Sequence, residues 1–512
     1  MCNAAKQRPW GLGRLWSAEA GIFLAVWLAL LFFGRTELFR DPGTFWHTAT
    51  GQRILDRGEI VSADPYSFTL PGRRWVESEW LADCGMAILY RFSGWDGLLL
   101  ATATLLAGVY AWIASRLLRA GLQILPTLLI VGLALAASSH NFHARPLLIT
   151  LALQGWVFAR LVDVEAGRKP LGSLAWFVPA FAVWANCHGG VLAGIGTSGL
   201  AFAGWCLSCS APVRRGRDVL LLGAILAASL ASVLLNPYGL EMPQSWAKVM
   251  SLPLPQLIQE HAPLDLRQPS GMLAAILAVS YLLVLAGIWP RRPRVTWLLP
   301  LVWFVLAAQR VRNAPLAAIV TAIALADLLP HTRWARWLAA HGLLTIDGAP
   351  RPATGHCTRR LALPVVAVVL AAVVQLAGLH LPLLGRGWVQ LDPARWPVAL
   401  LPELRAIESS ATQPGPRIFN DMLFGGFLIF HTPRLPIFID DRCEYYGRDF
   451  LLAYDRAQRE EPEQLDIWRR QYHFDFALVQ RGSPLDRYLD SNDQWMLLRR
   501  AGPAALWKAR GK

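Results

Sequence analysis

The stretch DPGTFWHTATGQRILDRGEIVSADPYSFTLPGRRWVESEWLADCGMAILYRFSGWD, Asp41 to Asp96, decides how this chain is read. It is dense in Asp, Glu, Arg, His and Trp, and it lies between two apolar runs long enough to cross a bilayer. Lipid cannot satisfy so many polar groups, so the stretch is a large extramembrane loop. Thr44 to Arg57 reads as a short helix after Asp41-Pro42-Gly43, with Asp41 near its amino end, where the helix dipole favours a carboxylate. Leu81, Cys84, Ile88 and Phe92 recur at helical spacing and predict an interfacial helix whose apolar face turns to lipid or to the bundle. Trp75, Trp80 and Trp95 suit the headgroup level.

Working outward, 54% of the 512 residues are hydrophobic and only 16% charged, against about 25% charged in a soluble protein. The chain is a polytopic α-helical membrane protein. Its net charge of +14 does not point to nucleic acid, because Arg and Lys sit mostly in short stretches between apolar runs, as in cytoplasmic loops. Candidate spans run over 18 to 35, 97 to 115, 121 to 139, 146 to 163, 171 to 186, 190 to 209, 218 to 236, 271 to 289, 295 to 309, 313 to 330 and 362 to 381, about eleven in all. Residues 1–17, with Lys6, Arg8 and Arg14, face the cytoplasm ahead of an uncleaved signal anchor. The bundle covers 18–381, including the first outer loop at 36–96, and 382–512 reads as an extracytoplasmic α/β domain. Its strand-like runs are RIFND, LPIFIDD, FDFALVQ, QWMLLRR and AALWKAR, with helical turns from Phe450 to Gln471. The loops that carry His, Asn, Asp and paired Arg fall on the outer side, and the inner loops read as simple anchors. The seven cysteines form no paired framework, and Cys206-Leu-Ser-Cys209 reads as two small helix residues rather than a redox or metal motif.

A carboxylate at the membrane edge can take the proton of an acceptor hydroxyl, while cations or a metal hold a departing phosphate. Asp41 is the candidate base, or else a helix cap. Asp64 in SADPYSFT is a catalytic candidate or an ordinary Asp-Pro turn. Glu77 and Glu79 share one face of an extended chain, where they coordinate a divalent ion through oxygen or form a solvated acidic surface; Glu79 is also a catalytic candidate. Arg145 in HNFHARP, with Arg310 and Arg312 in AQRVRN, either grips phosphate through a bidentate fork or snorkels to the interface. His188, beside Gly189 and Gly190, is a candidate substrate contact along with His47 and His143, the alternative being simple hydrogen-bonded histidines. Asp440, Asp441, Arg442 and Tyr446 either bind a carbohydrate acceptor or form a turn network holding the terminal domain on the membrane part.

An aspartate just past the first span, a long first loop with two interfacial helices, about eleven spans and an external α/β tail together resemble the GT-C superfamily of integral membrane glycosyltransferases. The strings DPGTFWHTATGQRIL, ADPYSFTLPGRRWVESEWL, WANCHGG, NPYG, RVRN, FNDMLFGGFLIF and FIDDRCEYYG look like those of a bacterial branch of it, and the resemblance covers nearly the whole chain. It implies transfer of a hexosyl or pentosyl group from a polyprenyl-phosphate-linked donor to a glycan, lipid or protein acceptor. The site of transfer would be the outer face of the cytoplasmic membrane. Asp41 would match the first-loop catalytic acid, and Asp64, Glu77 and Glu79 the part of the loop that shapes the site. No Asp-x-Asp or Asp-Glu pair follows the first helix directly, so a divalent cation, Mg or Mn, is left open. The alternative is a non-catalytic membrane partner in envelope polysaccharide assembly or export. A transporter would show mid-bilayer charges and internal repeats, and neither is evident.

Overall fold

The computed structural model describes residues 17–208, 212–252, 259–345, 361–410 and 416–510. Residues 1–16, expected on the cytoplasmic side, Cys209 and the basic run at 351–360 lie outside them. Helix α1 (Ala18–Glu37) opens on Ser17, whose side chain accepts the Ala20 N–H. Helix α2 (Gly43–Arg57) is the expected first helix of the loop. The next one, α3 (Trp80–Arg119), is two helices joined at Ser93 and Gly94, where Gly94 adopts φ 62°. A left-handed residue breaks the helical run at little cost only when it is glycine. The first part is the interfacial helix, with Leu81, Ile88 and Phe92 exposed, and the second is the membrane span.

Seven helices among the described residues are long and apolar enough to cross a membrane. They match the expected spans at 18, 97, 121, 146, 190, 271 and 313. Of the other four, 171–186, 295–309 and 362–381 are shorter apolar helices, and 218–236 is the helix Gly216–Ser232, of 17 residues. Helix Ala314–Leu328 is buried along its entire length. Apolar on every side, it serves as the central post of the bundle.

The two sets of loops occupy opposite ends. At one end the arginines read as anchors are tied into a network. Asp163, near the end of α5 (Leu147–Glu165), holds Arg116 at 2.8 Å and Arg168 at 2.9 Å. Asp327 holds Arg168 at 2.6 Å, Arg294 at 2.5 Å and the Trp297 indole at 2.9 Å. Glu165 accepts the Val295 and Thr296 N–H groups, capping the helix that begins there. These loops therefore do more than anchor: they fix five segments to one another.

At the other end, the first loop and the terminal residues build one layer. Strands β1 (Ile418–Asn420), β2 (Phe476–Gln480), β3 (Trp495–Ala501) and β4 (Ala504–Ala509) form a sheet of order β1-β2-β4-β3, with β1 and β2 parallel. The fifth expected strand, LPIFIDD, makes only isolated bridges, with Ile437 paired to Ser67 on one side and Ile418 on the other. The Phe68 N–H donates to Ile437 and the Ile437 N–H to Tyr66, both at 3.1 Å. The first loop thus extends the terminal sheet, and Trp46, Ile54, Phe68 and Trp75 share its hydrophobic core. The described residues from 382 onward share this core with the loop.

The Gly-Gly of FNDMLFGGFLIF makes the junction possible. It lies in helix Met422–His431, which Asp421 caps by accepting the Leu423 N–H. A Cβ on Gly426 would stand 2.1 Å from the Pro42 carbonyl oxygen, and one on Gly425 would stand 2.5 Å from that of Ile439. Phe45 packs edge-on against Trp95, Trp396 and Phe427 beside this contact. Gly426→Ala should therefore push the docking helix off the residue next to Asp41, at a cost of about 2 kcal/mol. A fall in the thermal unfolding midpoint of the detergent-purified protein checks this, and an unchanged midpoint contradicts it.

Candidate functional site

The chain leaves α1 through Leu38, Phe39 and Arg40 and turns into α2 at Asp41, which is 6% exposed. Asp41 Oδ1 accepts the Gly43 N–H at 2.8 Å, so the side chain does cap the first turn. Its other oxygen is free for a second partner, and Arg145 takes it at 2.5 Å. Arg145 arrives there because the Ala144 N–H donates to the Leu38 carbonyl at 2.8 Å, tying the loop between α4 (Ile124–Ser138) and α5 to the end of α1. The second arm of the Arg145 guanidinium donates to Glu260 at 2.7 Å. Burial alone would lower the Arg145 pKa, but Asp41 and Glu260 outweigh it and the net shift is upward. Burial alone would likewise raise Glu260, yet Arg145 holds it down to about 2.

His143, Asp441 and Arg312 stand around this pair. A methyl group on Gly43 would lie 2.7 Å from Asp41 Oδ1 and 3.6 Å from Asp441 Oδ2, so the terminal segment brings a second carboxylate to the first. Burial and then the Asp41 charge push the Asp441 pKa well up. Arg312 Nη1 is 2.5 Å from His261 Nε2, and Arg310, half-buried, adds its positive charge at His261. Asp41, His143 and Glu260 each bring a ligand atom within 4.8 Å of the others. Two carboxylates and an imidazole suit Mn better than Mg, which favours oxygen alone. Arg145 already bridges the two carboxylates, so an ion there shares its place with a guanidinium.

A second cluster lies one step along the loop. His47 Nδ1 is 2.7 Å from Asp83 Oδ1, and its Nε2 is 3.2 Å from Glu79 Oε2. Glu79 Oε1 is 3.5 Å from His188 Nε2. His188 Nδ1 accepts the Gly190 N–H at 2.9 Å and faces the Thr150 hydroxyl at 2.8 Å, while Thr150 itself accepts the Trp184 indole N–H. Neutral His188 therefore carries its proton on Nε2, towards Glu79. Burial drives His47 well below its ordinary value and His188 down to about 3, aided in both by nearby arginines. Burial pushes Glu79 up to about 8 against the opposing charge of Arg145. Glu77 is also raised, by burial and then by Glu79.

The structure thus brings together Asp41, His143, Arg145, Arg312 and Asp441, and beside them His47, Glu77, Glu79 and His188. It places two expected residues differently. Asp64 accepts the Tyr66 and Ser67 N–H groups and the Ser67 hydroxyl, and it is ion-paired at 2.9 Å with Arg442. Arg442 is 1% exposed, forks onto Asp440 at 2.8 and 2.6 Å, and lies over the rings of Trp75, Tyr66 and Tyr445. With no surface left, it cannot contact a carbohydrate; it holds the turn network that was the other reading. Asp83 is legible in the sequence as one of the first loop's five carboxylates at the membrane surface, though with no role of its own. Glu260 and His261 belong to no motif, so neither leaves a local signal.

No protein-family model and no curated protein sequence matches the chain. Among solved structures it is similar to the Archaeoglobus fulgidus oligosaccharyltransferase tethered with an acceptor peptide, at 10% identity over 90% of this chain and 69% of that one, with a TM-score of 0.54. It is also similar to ArnT from Cupriavidus metallidurans bound to undecaprenyl phosphate, at 15% identity over 95% and 97%, with a TM-score of 0.45. The likeness is one of fold alone: the chain shares the overall architecture of the Archaeoglobus fulgidus oligosaccharyltransferase.

Proposed function

We propose that this chain is a GT-C-type membrane glycosyltransferase of the outer face of the cytoplasmic membrane, with a polyprenyl-phosphate-linked sugar as donor and Asp41 as the catalytic base. The observation that carries the reading is the Asp41–Arg145 pair, which sets a proton acceptor beside a phosphate-binding cation at the mouth of the bundle. The acceptor hydroxyl oxygen attacks the anomeric carbon as its proton passes to Asp41. The bond from that carbon to the phosphate oxygen breaks, and polyprenyl phosphate leaves with the electron pair. Arg145, with Arg312 and Arg310 behind it, receives the departing phosphate, which exchanges with Glu260 on the second arm of the guanidinium.

Two clefts suit the parts of such a donor and acceptor. One of about 390 Å3, lined by Leu89, Phe92, Leu100, Leu105, Val368 and Ala372, follows the bend of α3 and matches a prenyl tail. Another of about 300 Å3, lined by Arg40, Arg395, Asp392 and Gln480, opens between Asp41's neighbour and the terminal sheet and matches an acceptor. Asp64 and Arg442 act as positioning residues. Glu79, protonated at neutral pH, donates a hydrogen bond rather than serving as a base. The outer-face assignment rests on the arginines of the short loops at the opposite end, since long extramembrane segments are not counted.

The reading is tested by saturable binding of a fluorescent polyprenyl phosphate to the purified protein. Arg145→Ala should weaken it about 10- to 100-fold, the worth of a charge-assisted contact. Unchanged affinity removes Arg145 from the phosphate site. Absence of saturable binding by the unaltered protein favours the non-catalytic assembly partner instead.

A further inference from the structure

The buried cluster one step from Asp41 holds more ligand-forming atoms than its own hydrogen bonds use. One oxygen of Glu77, one of Asp83 and a ring nitrogen of His47 lie within 4.8 Å of one another. All three side chains are buried, at 2%, 0% and 5% exposure. Glu77 Oε1 accepts the Glu79 N–H, but Glu77 Oε2 and Asp83 Oδ2 are buried with no hydrogen-bond partner. Orphaned carboxylate oxygens are costly in a dry site, where each gives up hydration without replacement. No Lys or Arg is ion-paired with Glu77, Glu79 or Asp83 among the described residues. Three carboxylates thus face one another and two imidazoles, and the arginines around them, Arg145 and Arg442, act on Glu79 and Glu77 only from beyond ion-pair distance.

We infer that His47, Glu77 and Asp83 bind one zinc-class divalent ion, which pins the first loop to the two helices flanking it. One imidazole and two carboxylates form a donor set that zinc accepts, with a fourth position left for water. Ligands of a tetrahedral zinc stand roughly 3.4 Å apart, so a modest closing of side chains brings these three onto one ion. His47 comes from α2, Glu77 from the irregular segment between α2 and α3, and Asp83 from the first turn of α3. The ion therefore adds a cross-link to three segments that are already closely packed, as at Gly51, where a Cβ would lie 1.9 Å from the Asp83 carbonyl oxygen. This set differs from a Glu77–Glu79 pair, because Glu79 turns its oxygens to His47 and His188.

The test is metal content of the full-length protein, purified in detergent without a polyhistidine tag, loaded with zinc and washed. About one tightly held ion per chain is expected. Glu77→Gln, nearly isosteric, and His47→Ala should each lower it about tenfold, while His143→Ala, at the Asp41 centre, should leave it unchanged. Chelation of the unaltered protein should also lower its thermal midpoint, a readout that stands even if His47→Ala fails to fold. No retained zinc in the unaltered protein, or full retention by Glu77→Gln, overturns the inference. So does loss on His143→Ala, which would move the ion to Asp41. None of these readouts depends on transferase activity.

Discussion

Asp41→Asn is expected to lower glycosyl transfer about 10^3-fold, the usual contribution of a positioned general base, while the protein accumulates and unfolds as before. The two oxygens of Asp41 have separate tasks, which is why the substitution is informative. Oδ1 accepts the Gly43 N–H, and the amide oxygen of Asn keeps that bond, so the start of α2 is preserved. The other oxygen faces Arg145, and an amide nitrogen placed there can neither accept a proton nor pair with the guanidinium. Transfer is measured in membranes supplied with a radiolabelled polyprenyl-phosphate sugar, with the thermal midpoint as control. Turnover equal to that of the unaltered protein would remove Asp41 from the mechanism. Loss of turnover with a collapsed midpoint would show only that the buried Arg145, left without its Asp41 partner, had destabilised the fold.

Much of the fold was legible because its signals are local. Runs of apolar residues mark the seven long helices, and the spacing of Leu81, Cys84, Ile88 and Phe92 marks the interfacial helix. Alternating apolar residues marked four strands, yet LPIFIDD, equally apolar, makes only bridges, because it is squeezed between Ser67 and Ile418. That neighbour comes from hundreds of residues away, and no periodicity reports it. The same limit applied to the candidate site. Asp41 was legible from its place after a span and before a helix, whereas its contact with Asp441 depends on the glycine-mediated docking of a distant helix. Asp64 and Arg442 each looked like separate candidates, since only the folded chain shows that they neutralise one another.

That buried pair leads to the second large effect. Arg442→Leu should destabilise the protein by about 3–5 kcal/mol, because it strips Asp64 and Asp440 of the cation that permits their burial. The guanidinium meets Asp440 through two nitrogens and Asp64 through a third, and it fills a cage made by Trp46, Tyr66, Trp75 and Tyr445. Lysine offers one compact charge in place of the planar fork and stack, so Arg442→Lys should restore only part of the loss. If the cost is the orphaned charge rather than the lost ring contacts, adding Asp64→Asn to Arg442→Leu should be less harmful than the sum of the two single changes. Thermal unfolding followed by tryptophan fluorescence measures all four proteins. Strict additivity would assign the cost to packing against the rings, and an undiminished midpoint for Arg442→Leu would show that the first loop and terminal segment are held together elsewhere. Because Asp441 adjoins Arg442 in the chain and stands beside Asp41, a loosened Arg442 turn should also reduce transfer, through displacement of the carboxylates and not through any contact of Arg442 with substrate.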